Sequence, residues 1–236
     1  MSERWRCWRS VGSAASFHAR AVPDQPEPSL WIHQVEQPAV VLGSTQGDDV
    51  VDEVEAGRRG IELARRRSGG GVVLVHPDHS RWVDVIVPRH HPRWSDDVGT
   101  AFHWVGAAWS QALQRATPAE LRDQVRVHRG GLVKSRWSSL VCFAGLGPGE
   151  VTIGSAKVVG ISQRRTRHWA RFQCLVVADP DLDVLGAVLS PAVLPGPRSE
   201  LTSLPMGGPV DLDAALSAFC AAVVGPERAV EGQPPN

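Results

Sequence analysis

The chain has 236 residues, and its 25 Lys plus Arg are balanced by 25 Asp plus Glu, so no global field draws it to nucleic acid or a membrane and any cationic function must be local. That length buries a core in one domain without help from disulfides or metals. Cys7, Cys142, Cys174 and Cys220 show no CxxC spacing, which argues against a zinc site or disulfide framework and fits thiols in a reducing compartment.

The opening "MSERWRCWRSVGSAASFHAR" lacks the apolar stretch of a signal peptide. No segment is long and apolar enough to span a bilayer, so the expected location is cytoplasmic. "VPDQPEPS" (22–29) reads as a proline-rich loop. Apolar runs rich in β-branched residues predict strands at 38–43, 71–76, 81–88, 139–145, 150–165 and 172–179. In 81–88, Trp82, Asp84 and Ile86 fall on one face and Val83, Val85 and Val87 on the other, as in a strand packed on one side. Gaps between several runs are too short for crossover helices, which favours antiparallel pairing. A helix is expected over 95–116, with Ser95 as N-cap and two following Asp residues at its positive end. Its apolar residues recur at three- and four-residue steps. A proline-rich loop (190–200) and a second helix (211–225) follow, then a tail, 226–236, expected to be disordered.

The sharpest local feature is "RRRSGGG" (65–71), set directly against an apolar run. A glycine triplet marks a place where something approaches the main chain closely. Backbone N–H groups with Arg65 and Arg66 beside them suit a phosphate or carboxylate, although a tight turn with solvated arginines accounts for the same residues. The second feature is Lys157, placed in an apolar stretch of a chain with only two lysines. Where Arg is used almost everywhere else, a retained Lys suggests a compact point charge, or a strand-edge residue.

"RRRSGGG" and "KVVGISQ" (157–163), with the leading "LWIHQVEQPAVVLGSTQ" (30–46), resemble the signatures of the lipoate-protein ligase family, and the likeness runs to about 204. The resemblance implies residues 1–225 as one α+β catalytic domain of the biotinyl/lipoyl transferase type, akin to class II synthetases, with a mixed, mostly antiparallel sheet flanked by helices. It implies ATP-dependent activation of lipoate or octanoate, with Mg, to an acyl-adenylate, then amide formation on a carrier-domain lysine. The carriers would be lipoyl domains of 2-oxoacid dehydrogenases or the glycine cleavage H protein. By the resemblance, Arg65, Arg66, Ser68, Gly69, Gly70, Gly71, Gly160, Ser162 and Gln163 would bind the acyl-adenylate. Lys157 would steady negative charge as the amine attacks. Residues after about 205 leave room for only a helix and tail where many of the ligases carry a small C-terminal domain, so the expectation is that adenylation either needs a separate accessory chain or does not occur.

Cys142, in "CF" upstream of the lysine motif, matches the nucleophile of the cysteine octanoyltransferases in the same superfamily. It implies an alternative, ATP-independent transfer through a thioester; a small buried hydrophobe is the other role for such a residue. Where the ligases have His and Asp after the glycines, this chain has Val75 and His76, which leaves a non-catalytic acyl-binding paralogue as a third expectation. His76 and Asp84 are further candidates for ligand contact or structural hydrogen bonds. No metal-ligand spacing is present among the histidines.

Overall fold

The computed structural model describes residues 5–225 and 230–232. In chain order these form β1 (Arg6–Gly12), α1 (Ala14–Ala19), β2 (Ser29–Val35), β3 (Ala39–Leu42), α2 (Glu53–Arg58), β4 (Glu62–Arg65), β5 (Val73–Val75), β6 (Ser80–Pro88), α3 (Ala101–Ala116), β7 (Val125–Val127), β8 (Val151–Ile153), β9 (Ala156–Arg165), β10 (Trp169–Val177), α4 (Leu182–Val188), α5 (Arg198–Leu201), α6 (Leu212–Val224) and β11 (Val230–Gly232). Two sheets result, one ordered β11-β1-β2-β6-β10-β9-β8-β7 and one ordered β4-β3-β5. The fold is α+β, as expected, with the large sheet antiparallel from β2 to β7. Parallel pairs occur at β1–β2 and β3–β4, where α1 and α2 provide the crossovers that parallel strands need.

Both faces of the large sheet are covered. Val83, Val85, Val87, Phe172 and Val176 pack under α3 and α6, where Trp109 and Phe219 stack at 3.9 Å. On the other face Trp82, Leu175 and Val177 meet the small sheet, α1 and α4. β6 is therefore buried on both sides, and the one-sided packing expected for 81–88 does not hold.

Other expectations are corrected. Residues 139–145 form no strand; Cys142–Ala144 is a single 3-10 turn, attached to the small sheet through an isolated bridge between Val72 and Val141. The 150–165 run is a hairpin broken at Gly154, whose φ of 58° suits a turn. The 30–46 stretch contributes β2 to one sheet and β3 to the other. The first helix starts at Ala101 rather than after Ser95. Asp97 captures the Thr100 N–H at 2.6 Å and Ser95 bonds the Thr100 hydroxyl, which turns the chain before the helix. The second helix begins on Asp211, which accepts from Asp213 and Ala214. Of the expected disordered tail, Val230–Gly232 run parallel to β1, and 226–229 and 233–236 lie outside the described residues.

A polar knot ties α1 to the large sheet. Asp84 is fully buried and accepts from Trp82 Nε1 (2.9 Å), His33 Nε2 (2.9 Å) and Arg171 Nε (2.8 Å). Arg171 also donates to the Phe17 and Arg20 carbonyls. Burial pushes the Asp84 carboxyl upward, but Arg171 and His33 outweigh it and hold the group below the usual carboxylate range. Arg171→Met leaves that charge buried and unpaired. We expect it to cost about 3–5 kcal/mol in urea unfolding, with Asp84→Asn added to Arg171→Met recovering part of the loss.

Candidate active site

Between the two sheets lies a cavity of about 70 Å³, several times what one water requires. Gly160 and Ser162 of β9, Gln173 and Leu175 of β10 and Trp82 of β6 form its floor, and Val41, Val73 and Val75 of the small sheet its roof. Cys142, Phe143, Arg66 and His18 complete the wall. A narrow, mainly apolar slot of this kind suits an alkyl chain.

The glycine loop closes over this slot through Arg66. Its buried guanidinium donates to the carbonyls of Val41 (3.2 Å), Gly69 (2.8 Å) and Gly71 (2.7 Å). Gly70 has φ 96°, a conformation L side chains rarely adopt. A Cβ on Gly71 would lie 2.6 Å from the Leu140 backbone, and one on Gly43 only 1.9 Å from the Gly70 oxygen. The triplet thus serves close backbone approach, to the chain's own 140–142 segment. Arg65 turns the other way, donating to the Gly43 (2.9 Å) and Gln46 (2.6 Å) carbonyls and to Asp48 (2.5 Å).

Lys157 approaches the same segment from the opposite side. Its ammonium is buried, 3.1 Å from the carbonyls of both Cys142 and Gly145 and 2.7 Å from Glu150 Oε2. It sits 4.8 Å from the Phe143 ring centroid. Glu150 in turn accepts from the Gly147 and Ile161 backbones. The Cys142 sulfur faces the loop, 4.0 Å from where a Cβ on Gly70 would stand. Both sequence motifs therefore flank one turn, 142–145, which borders the cavity.

Residues 15–221 match the lipoyl protein ligase A/B catalytic domain. The chain belongs to that family. Solved structures agree on the fold: lipoate-protein ligase A bound with ATP superposes with a TM-score of 0.68 at 18% identity, covering 99% of this chain and 90% of that one. Protein Ta0514 from T. acidophilum with bound lipoic acid gives 0.67 at 19%, covering 100% and 90%. A bipartite lipoate protein ligase from Thermoplasma acidophilum, described with its E2 lipoyl domain, gives 0.66 at 20%, covering 98% and 88%. No curated protein matches the sequence.

Within this ligase-family frame, the structure brings together Cys142, Lys157, Arg66, Ser68, Gly70, Gly71, Gly160 and Ser162, the two serines through a 3.1 Å hydroxyl contact. Gly69 enters through its carbonyl on Arg66. Gln163 is not brought in. It opposes Phe172 in the register and so faces α3, where both its amide atoms are buried without a hydrogen-bond partner among the described residues. His76 lies outside the slot, stacked on His79 at 4.2 Å, and Asp84 is committed to the knot below. Glu150, His18 and Gln173 carried no motif in the sequence; an acidic residue seven positions before Lys157 was the one available signal for Glu150.

Burial, first, and the nearby Arg171 and Arg66 charges push His18 down to about 3, with Asp84 opposing; burial lowers His33 likewise. Below the ordinary imidazole range the unfolded chain takes up protons that the folded chain refuses, so stability falls as pH drops from about 6.5 toward 3. We expect His18→Gln to flatten that slope by about 1.4 kcal/mol per pH unit within the window, read from urea unfolding at a series of pH values. Gly43→Ala should cost about 1–3 kcal/mol through its clash with the loop. Gly69→Ala, with open space at its Cβ, should be near neutral in the same measurement.

Proposed function

We propose that this chain joins a medium-chain acyl group, lipoyl or octanoyl, to a lysine of a lipoyl carrier domain, after ATP, with Mg on its phosphates, activates the acid to an acyl-adenylate. The observation that carries this reading is the apolar slot ending at the 142–145 turn, where the glycine loop and a buried ammonium meet. The alkyl chain occupies the slot, and its carboxyl stands at the turn. The residues fit an anionic nucleotide: Arg67 and Arg164 share a groove with Arg167 and His168, against a single acidic residue, Asp24, and they follow closely in sequence on the Ser68–Ser162 pair. Burial and the neighbouring Arg67 charge lower the Arg164 guanidinium, a crowding of like charges that an anion relieves. Lipoate-protein ligase A binding ATP and the archaeal ligase studied with its E2 lipoyl domain support nucleotide and carrier as substrates here.

Lys157 uses all three of its N–H donors on Cys142 O, Gly145 O and Glu150. An acyl or phosphate oxygen contacts it by replacing one of the carbonyls. The ammonium then stabilises charge that grows as the acid oxygen attacks the α-phosphorus and pyrophosphate leaves, and again as the carrier amine attacks the acyl carbon and AMP leaves.

The position of the Cys142 sulfur against the slot supports a second reading. Its thiolate attacks the carbonyl of an acyl-carrier thioester and expels the carrier thiol. The target lysine amine then attacks the enzyme thioester, forming the amide and returning Cys142.

Pyrophosphate exchange into ATP, dependent on lipoate or octanoate, tests the first route. We expect exchange in the wild type and its loss, by at least about 100-fold, on Lys157→Met combined with Glu150→Gln. The double variant removes the ion pair together, because Lys157→Ala alone strands a buried carboxylate and perturbs the fold. Transfer from an octanoyl carrier without ATP, abolished by Cys142→Ala, would establish the second route instead. Acyl binding with neither activity would mark a non-catalytic paralogue.

A further inference from the structure

The slot has a polar far end that acyl attachment does not require. Its floor crosses β9, β10 and β6 in order. Phe143, beside Cys142, packs on Gly160 at the β9 end, with ring carbons 2.9 Å from where a Cβ would stand. His18 stacks on Trp82 at 4.4 Å at the β6 end. Two interstrand steps of about 4.8 Å separate these ends by about 10 Å, the reach of a medium-length acyl chain. A chain whose carboxyl stands at the 142–145 turn therefore places its tail against His18.

His18 is buried and neutral at ordinary pH. Gln173 Nε2 meets its Nδ1 at 3.3 Å; with the amide donating, the ring proton resides on Nε2. Trp82 uses its own N–H on Asp84, so the indole presents carbon to the slot. A purely aliphatic tail ends in a methyl group and offers the imidazole N–H no acceptor. A dithiolane tail supplies sulfur, which accepts weakly from an N–H and packs favourably against aromatic ring edges.

We propose that His18, oriented by Gln173, makes this slot select a dithiolane-tailed acyl group, lipoyl, over an unfunctionalised chain such as octanoyl. The assignment rests on the functional reading above and narrows its substrate. Calorimetric titration of the full chain with lipoate and with octanoate tests it without requiring turnover. The wild type should bind lipoate about tenfold more tightly than octanoate. His18→Leu should bring the ratio near one, with far-ultraviolet circular dichroism matching the wild type to show that the variant is folded. Gln173→Leu should shift the ratio in the same direction and by less, since the ring stays but its tautomer is no longer held. Equal affinities in the wild type, or a ratio unchanged in both variants, overturns the role of His18 and leaves the functional reading standing. Failure of the wild type to bind either acid overturns both.

Discussion

Among the described residues no carboxylate pairs with the buried Arg66, so its charge has to be met by oxygen dipoles, and the carbonyls of Val41, Gly69 and Gly71 supply them. A buried cation left without such partners is costly, which makes the curled path of the glycine loop the condition for Arg66 being there at all. The loop needs glycine where φ is positive and where its backbone touches the 140–142 segment and Gly43. One constraint thus spans β3, the loop and the Cys142 turn, and the slot is the space left between that assembly and the large sheet.

The strands legible in the sequence are those whose burial is nearly continuous, such as β6 and β10, because β-branched runs of that length have few other ways to be buried. Residues 139–145 carry the same apolar signature yet form a turn, since composition reports burial and cannot distinguish a buried turn from a strand. The short elements β1, β4, β7, α1 and α4 had no strong periodicity of their own and depend on tertiary packing. The glycine and lysine motifs were legible because their chemistry is local: three glycines together, one lysine inside an apolar strand of a chain that has only two. Their partners were not. His18 and Gln173 acquire roles only through neighbours distant in the sequence, and Glu150 through a hairpin that brings Lys157 back onto it.

The alternation of β9 explains why a single motif divides between site and core. Gly160 and Ser162 face the slot, with Gln173 and Leu175 opposite them in the register. Val159 and Ile161 face α3 and α6 with Phe172 and Cys174, and Gln163 goes with them. Burial on that side pushes the Cys174 thiol up, as expected for a cysteine acting as a small hydrophobe. Cys142, on a turn at the slot's edge, is in a different situation, because its sulfur borders space and its carbonyl holds Lys157.

That shared residue couples the two halves of the site. The Cys142 N–H is bound by the Val72 carbonyl (2.9 Å) immediately after the glycines, while its own carbonyl takes the Lys157 ammonium. Because Lys157 has no spare donor in this arrangement, an incoming oxygen can be met only if a carbonyl of the turn is released. Releasing Cys142 O frees the backbone that carries the thiol and abuts the glycine loop. Releasing Gly145 O instead leaves that backbone bound. The Glu150 contact persists in either case, since a buried ammonium separated from its carboxylate would forfeit more than a carbonyl contact provides. On the function proposed above, the site would keep its charge pair fixed and exchange its dipoles, so that the ammonium would reach a reacting carboxyl without being left unpaired.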